Sequence, residues 1–156
     1  MRTIFAFVLL LFISCTNHQQ PMSDIHPFRL KPGQDLKKEI EAYVKANKIN
    51  AGYVITCVGS LTDYNLRFAN QPEGSKGSGH FEIVSLTGVI AENGMHLHMS
   101  ISDSTGRTIG GHLMEGNIIY TTAEIVLGET DSHQFVREKD GTTPWEELQV
   151  KPGSKE

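Results

Sequence analysis

The stretch Met95–Ser102, MHLHMSIS, followed by DSTG at 103–106 and RTIGGHL at 107–113, decides the fold. Apolar and polar residues alternate through the first segment, which is the pattern of a β-strand with one buried face. The DSTG segment has the composition of a turn, so the third segment is predicted to fold back beside the first. We therefore expect an antiparallel hairpin at residues 95–113.

Three histidines of this hairpin point to a metal site. His96 and His98 are two residues apart, so their side chains leave the same face of the strand, about 7 Å apart. If Ser100 pairs with Thr108, His112 faces His96, and a shift of two residues places it opposite His98. Either register gathers three imidazoles on one face. A register shifted by one residue would send His112 to the other side.

The predicted site has the donor set of a transition metal. Neutral imidazole suits zinc, and also nickel, copper or iron. Three protein ligands leave positions open for water or substrate, so the site would be catalytic or ligand-binding. Solvated histidines on an exposed strand face are the alternative interpretation. Glu82 and Glu124 are the candidate carboxylates for moving protons, and each could equally be solvated or paired with Arg67 or Arg107.

Residues 1–14 are predicted to be a signal peptide. Arg2 supplies a positive charge, and the apolar run after it is too short to span a bilayer as a helix. The run ends at Phe12-Ile13-Ser14-Cys15, which resembles the lipobox of bacterial lipoproteins with Phe12 in place of the usual Leu. We therefore expect lipidation of Cys15 and an extracytoplasmic, membrane-anchored protein, in the periplasm or at the cell surface. An ordinary secretory signal cut near Ser14 is the alternative.

The rest of the chain is predicted to form one acidic domain. Residues 15–25 would be a tether and residues 26–150 a domain with one core. Removal of residues 1–14 takes away one basic residue, which leaves 13 Lys and Arg against 18 Asp and Glu and a net charge of −5. Cys57 lies in an apolar run, so we expect it to be buried and unreactive.

One helix is predicted, at residues 35–47. Apolar side chains recur at helical spacing within Leu36–Val44, with charged residues on the opposite face. Asp35 can cap the start, and Asn47 with Lys48 marks the end.

The remaining pattern predicts strands separated by turns. The strands are at 52–58, 61–69, 80–91, 95–102, 107–113 and 117–127. Asn93-Gly94 predicts a tight hairpin turn, Gly59-Ser60 a turn, and the Gly/Ser-rich segment Gln71–Gly79 a loop. After Gly128 the pattern weakens, and Asp140–Pro144 is predicted to be a turn. The fold class is therefore α+β, a mostly antiparallel sheet with one main helix packed on it.

Several motifs together resemble one known family. They are Arg29–Leu36, Cys57–Leu61, Phe81–Gly88, His96-Leu97-His98, Gly110-Gly111-His112-Leu113 and Tyr120–Glu124. Their order closely resembles the plant-and-prokaryote-conserved (PPC) domain over residues 27–148. The resemblance implies an α+β fold, a homotrimer, and a structural relationship to the acetolactate decarboxylases. Those enzymes hold zinc with an H-x-H pair and a third histidine, a pattern that His96, His98 and His112 match.

The resemblance leaves three functions to compare. We favour a metal-binding or assembly module whose small-molecule ligand is unknown. A metal-dependent lyase or hydrolase of the acetolactate decarboxylase type is the rival, although fold analogy is a weak guide to chemistry. DNA binding, known from plant members that carry an AT-hook, is disfavoured. The chain has no Arg-Gly-Arg-Pro core, and its acidic charge opposes binding to a polyanion.

Overall fold

The structure, a computed structural model, describes residues 23–153. Its elements are β1 (Ser23–Leu30), α1 (Leu36–Asn47), β2 (Ala51–Arg67), β3 (Ser75–Ala91), β4 (Gly94–Ser102), β5 (Thr108–Leu113), β6 (Ile118–Thr130), β7 (His133–Glu138) and β8 (Glu147–Pro152). The predicted α+β class is confirmed, since the described strands pair in antiparallel fashion around one helix.

Six strands form the main sheet, in the order β1-β6-β2-β3-β4-β5. The end of β2 also pairs with β5, through Leu66 with Leu113 and Arg67 with His112. The four strands from β2 to β5 therefore close into a ring, and the end of β2 lies beside the last residues of the histidine hairpin. The other two strands, β7 and β8, form a separate two-stranded sheet.

Helix α1 agrees with its prediction at both ends. The Asp35 carboxylate accepts hydrogen bonds from the backbone N–H groups of Lys37 and Lys38, at 3.0 and 3.3 Å. Lys48 ends the helix in the left-handed conformation, with φ 56°. Leu36 and Ile40 are fully buried, so the predicted apolar face packs on the sheet.

The core confirms the alternation of the histidine strand. Leu97, Met99 and Ile101 are at most 2% exposed, and they pack with buried residues from every strand of the main sheet. Burying a side chain of this size stabilises the fold by about 1.5–3 kcal/mol. The polar residues between them project from the other face, as a period of two requires.

Two predicted breaks lie inside strands. Gly59 and Ser60 belong to the continuous strand β2, and Ser60 is buried with its Oγ 2.7 Å from Thr121 Oγ1. Gly59 belongs there because a Cβ would lie 2.1 Å from the Thr122 carbonyl oxygen, a contact that only glycine avoids. The second half of the predicted loop at 71–79 begins β3, because long-range pairing with β2 outweighs its Gly/Ser composition.

The third difference concerns the N-terminal part of the domain. Strand β1 begins at Ser23 and pairs with β6, so residues 23–25 of the predicted tether belong to the sheet. The predicted signal peptide and Cys15 lie outside the described residues. Within 23–153, no helix is long and apolar enough to cross a membrane.

The tight hairpin predicted at Asn93-Gly94 forms one residue earlier, with Glu92 and Asn93 as its loop, and it holds the β7–β8 hairpin. Ala91 pairs with Gly94 across a two-residue loop. The Asn93 amide donates to the Arg137 carbonyl oxygen and accepts from the Arg137 N–H, both at 2.8 Å. These bonds fix β7, which the sequence did not predict, beside the start of the histidine strand.

Candidate metal centre

The hairpin register decides where the third histidine lies. His98 pairs with His112, Ser100 with Gly110, and Ser102 with Thr108. This is an even register, so His112 leaves the same face as His96 and His98. Of the two predicted even registers, the structure has the one that places His112 opposite His98.

The three imidazoles form a compact cluster. One ring nitrogen from each lies within 4.8 Å of the others, and the Nε2 atoms of His96 and His98 are 3.1 Å apart. Two nitrogens at 2.0–2.1 Å from a tetrahedral zinc would be separated by roughly 3.3 Å, so this pair fits a shared ion. Nδ1 of His112 is buried and has no hydrogen-bond partner in the structure. A cluster of this kind fits a transition metal.

The surroundings of His96 and His112 favour the neutral form of these two imidazoles. Burial, and then the charges of the neighbouring His96 and Arg67, together lower the pKa of His112 to about 4. Burial also lowers the pKa of His96, together with the charges of His98 and Arg137. Neutral imidazole is the form that binds metal, so these shifts prepare the nitrogens as ligands.

The metal-free protein should lose stability as the pH falls from about 6.5 to about 4. In that range unfolded His112 binds a proton that the folded side chain does not, because its pKa is lowered from 6.5 to about 4. The unfolded state then binds more protons, and the free energy of unfolding decreases as the pH decreases. Urea unfolding across this range measures the effect. In His112→Ala the free energy of unfolding should change less with pH than in the parent protein. An equal change with pH in the two proteins would contradict the role given to His112.

Arg67 lies beside the cluster because β2 pairs with β5. Its Cα partner is His112, and cross-strand partners project from the same face of the sheet.

Two open cavities, of about 500 and 550 Å³, meet at Arg67 and His112. In the first, Gly110 and Gly111 lie against the backbone of neighbouring strands, where a Cβ would be 2.7–3.1 Å from a side chain or a carbonyl oxygen. The histidines therefore face an accessible space.

The second cavity is closed on one side by the β7–β8 hairpin. Its wall includes Arg137, Trp145, Glu146 and Glu147. The negative charge of Glu147 opposes the lowering of the His96 pKa, so this carboxylate acts on the cluster. These residues were not predicted from the sequence, because no clear hydrophobic period marks β7 or β8.

The two predicted carboxylates are elsewhere. Glu82 is exposed and pairs with Ser102, four residues along β4 from His98 and about 13 Å away. Glu124 is exposed on β6, where it pairs with Arg29 and Val58. The structure therefore brings neither to the histidines, and the carboxylates that line the second cavity are Glu146 and Glu147.

Cys57 is buried, as predicted. Burial raises the pKa of its thiol to about 12. A thiol at that pKa holds almost no thiolate at neutral pH, so Cys57 is a packing residue.

The fold and the cluster define an α+β domain with a three-histidine centre. The chain belongs to the family described as the Plants and Prokaryotes Conserved (PCC) domain, whose model matches residues 18–131. The predicted family is thereby confirmed. A relative from a Synechococcus strain, the bifunctional protein GlmU, is 44% identical over 126 residues, which are 81% of this chain. The match spans only 20% of that protein's length.

Solved structures share the fold. A hypothetical protein from Salmonella enterica is 36% identical, with a TM-score of 0.82 over 86% of this chain and 98% of its own. A metal-containing protein from Archaeoglobus fulgidus has 22% identity and a TM-score of 0.68, covering 81% and 93% of the two chains. A candidate DNA-binding protein from Bacteroides thetaiotaomicron has 21% identity and a TM-score of 0.71, covering 83% and 96%. The last two show the fold alone.

Proposed function

We propose that this protein is a metal-binding module in which His96, His98 and His112 hold one divalent transition metal. Zinc is the preferred candidate. The observation that carries the proposal is the approach of three ring nitrogens to within 4.8 Å of one another on one sheet face. The unpartnered Nδ1 of His112 and the metal-containing protein of similar fold also support it. Three imidazoles leave coordination positions open, so the module would present the metal to a small-molecule ligand.

Metal analysis of the purified protein tests this function. Protein loaded with zinc and passed through a desalting column should retain one zinc per chain. Nickel, copper and iron, loaded in the same way, would identify the preferred metal. Loaded protein that retains far less than one ion per chain would contradict the proposal.

A second candidate is a metal-dependent lyase or hydrolase of the acetolactate decarboxylase type. Glu147 favours it, because this carboxylate lines the same cavity as His96 and His112. When bound, the metal would supply a Lewis acid, and Glu147 would hold or move a proton beside it. Nucleic acid is left out of both proposals, since a net charge of −4 for the whole chain disfavours a polyanion.

We also propose that Cys15 anchors the protein to a membrane outside the cytoplasm. The support is the sequence alone, an apolar run that ends at Ser14-Cys15. Cys15→Ser should move the protein from the membrane fraction to the soluble fraction of the native host, because the lipid attachment site is lost. Wild-type protein that is already soluble would contradict the anchor.

The partner that we propose is two further copies of this chain. Family resemblance suggests the trimer, and an apolar patch on the outer sheet face supports it. Val58 and Val84 are 56% and 57% exposed on the neighbouring strands β2 and β3. Apolar side chains grouped in this way often mark an interface.

Light scattering on the soluble Cys15→Ser variant tests the trimer. The expected mass is that of three chains at micromolar concentration, because the patch is buried only by association. Val58→Lys should shift the mass toward one chain, and Lys76→Ala, on an exposed part of β3, should not. A mass of one chain for Cys15→Ser alone would contradict the trimer.

A further inference from the structure

Arg67 lies beside the histidines and has no role in the proposed metal site. It lines both cavities, and pairing with His112 places its side chain on the histidine face. The only hydrogen bond of its guanidinium within residues 23–153 is a long one, from Nη1 to the Gln71 carbonyl oxygen at 3.5 Å. Most of its five donors are therefore free to bind a ligand.

The charges around the cavities are unbalanced. None of the ion pairs among the described residues includes Arg67. The second cavity adds Arg137 and Lys139 against Glu146 and Glu147, and the first has no carboxylate in its wall. A divalent metal on three neutral imidazoles would add two more positive charges. Such a site is strongly positive, so a negatively charged ligand would be stabilised there.

We propose that the histidine centre binds a small oxyanion, a carboxylate or a phosphate, and that Arg67 fixes it by charge-assisted hydrogen bonds. The inference rests on the proposed metal function and names the ligand class of the same site. A planar guanidinium presents parallel N–H groups that match two oxygens of a carboxylate or phosphate. A phosphate can bind Arg67 through two oxygens while a third faces the histidine centre, and a carboxylate can direct one oxygen to Arg67 and the other to the histidine centre.

Trp145 provides a direct readout. It is the single tryptophan of the chain, it is 67% exposed, and it lines the second cavity with Arg67 and His96. A ligand that enters this cavity changes the surroundings of the indole. Intrinsic fluorescence therefore reports occupancy without any assumption about catalysis.

The experiment titrates zinc-loaded protein with acetate and with inorganic phosphate at constant ionic strength. Acetamide, which has the shape of acetate without its charge, is the control ligand. Trp145 fluorescence and calorimetry give the affinity. We expect saturable binding of acetate, phosphate or both, and no binding of acetamide. The anion that binds more tightly shows whether the site prefers a carboxylate or a phosphate.

Two variants test the role of Arg67 with one matched control. Arg67→Gln should weaken anion binding about tenfold or more, since it removes a charged hydrogen-bond donor. Arg67→Lys keeps the charge without the planar pair of donors. Its affinity for the anion should therefore lie between those of the parent protein and Arg67→Gln. Arg107→Gln removes the same charge from the β4–β5 turn and should leave the affinity unchanged.

Zinc content, measured on each variant, separates the possible failures. Absence of zinc from the parent protein would overturn the metal function and this inference together. One zinc per chain with no anion binding, equal binding of acetamide, or an unchanged affinity in Arg67→Gln would overturn the anion site alone. If Arg67→Gln fails to hold zinc, Arg67→Lys decides, and an affinity equal to that of the parent would count against the inference.

Discussion

His112→Ala is expected to remove most of the bound metal. His112 supplies one of three nitrogens, and the two that remain, on His96 and His98, lie on one strand without a donor across the hairpin. Loss of a hydrogen-bond partner to a ligand already costs 10–100-fold in metal affinity, so loss of the ligand should cost more than about 100-fold. Zinc content after desalting, and competition with a chelator of known affinity, measure the change.

His80→Ala is the matched control for that experiment. His80 is exposed on β3, where its ring lies 4.5 Å from that of Tyr120, and it is not part of the cluster. The control should retain one zinc per chain. Equal zinc content in both variants would show that the three imidazoles do not share an ion.

The histidine cluster was predictable because a strand alternates faces. The period of two in residues 95–102 placed His96 and His98 together, and the turn composition placed His112 nearby. The choice between the two even registers depends on the turn itself. Asp103 accepts hydrogen bonds from the Thr105 and Arg107 N–H groups and fixes a short loop with Gly106 at φ 82°. These hydrogen bonds of the turn are harder to predict from the sequence than the alternation of apolar and polar residues in the strand.

The surroundings of the cluster were not predictable in the same way. Arg67 reaches His112 only because β2 continues through Gly59 and curves to meet β5. Glu147 arrives on a hairpin whose position depends on the amide of Asn93. Both contacts join segments far apart in sequence, and local composition carries no signal for them. The predicted carboxylates Glu82 and Glu124 therefore lay on the correct strands for the fold and in the wrong place for the cavity.

Leu97→Ala is expected to lower the free energy of unfolding by about 2–5 kcal/mol and to leave metal binding intact. Leu97 is 2% exposed in the core, so truncation removes buried apolar contacts and leaves a cavity. Its side chain projects from the face opposite His96 and His98, which keep their positions on the same strand. Urea unfolding of the metal-free proteins measures the stability, because bound metal would add its own stabilisation.

His98→Ala, at the residue next to Leu97, is expected to lose zinc and to keep its stability. His98 is exposed, so its truncation should change the stability of the metal-free protein by less than about 1 kcal/mol. It should nevertheless abolish the retention of zinc, since it removes a ligand. Two adjacent substitutions would then separate the two faces of β4, one that holds the fold and one that holds the metal. A Leu97→Ala protein that stays folded but loses its zinc would show that the faces are not independent.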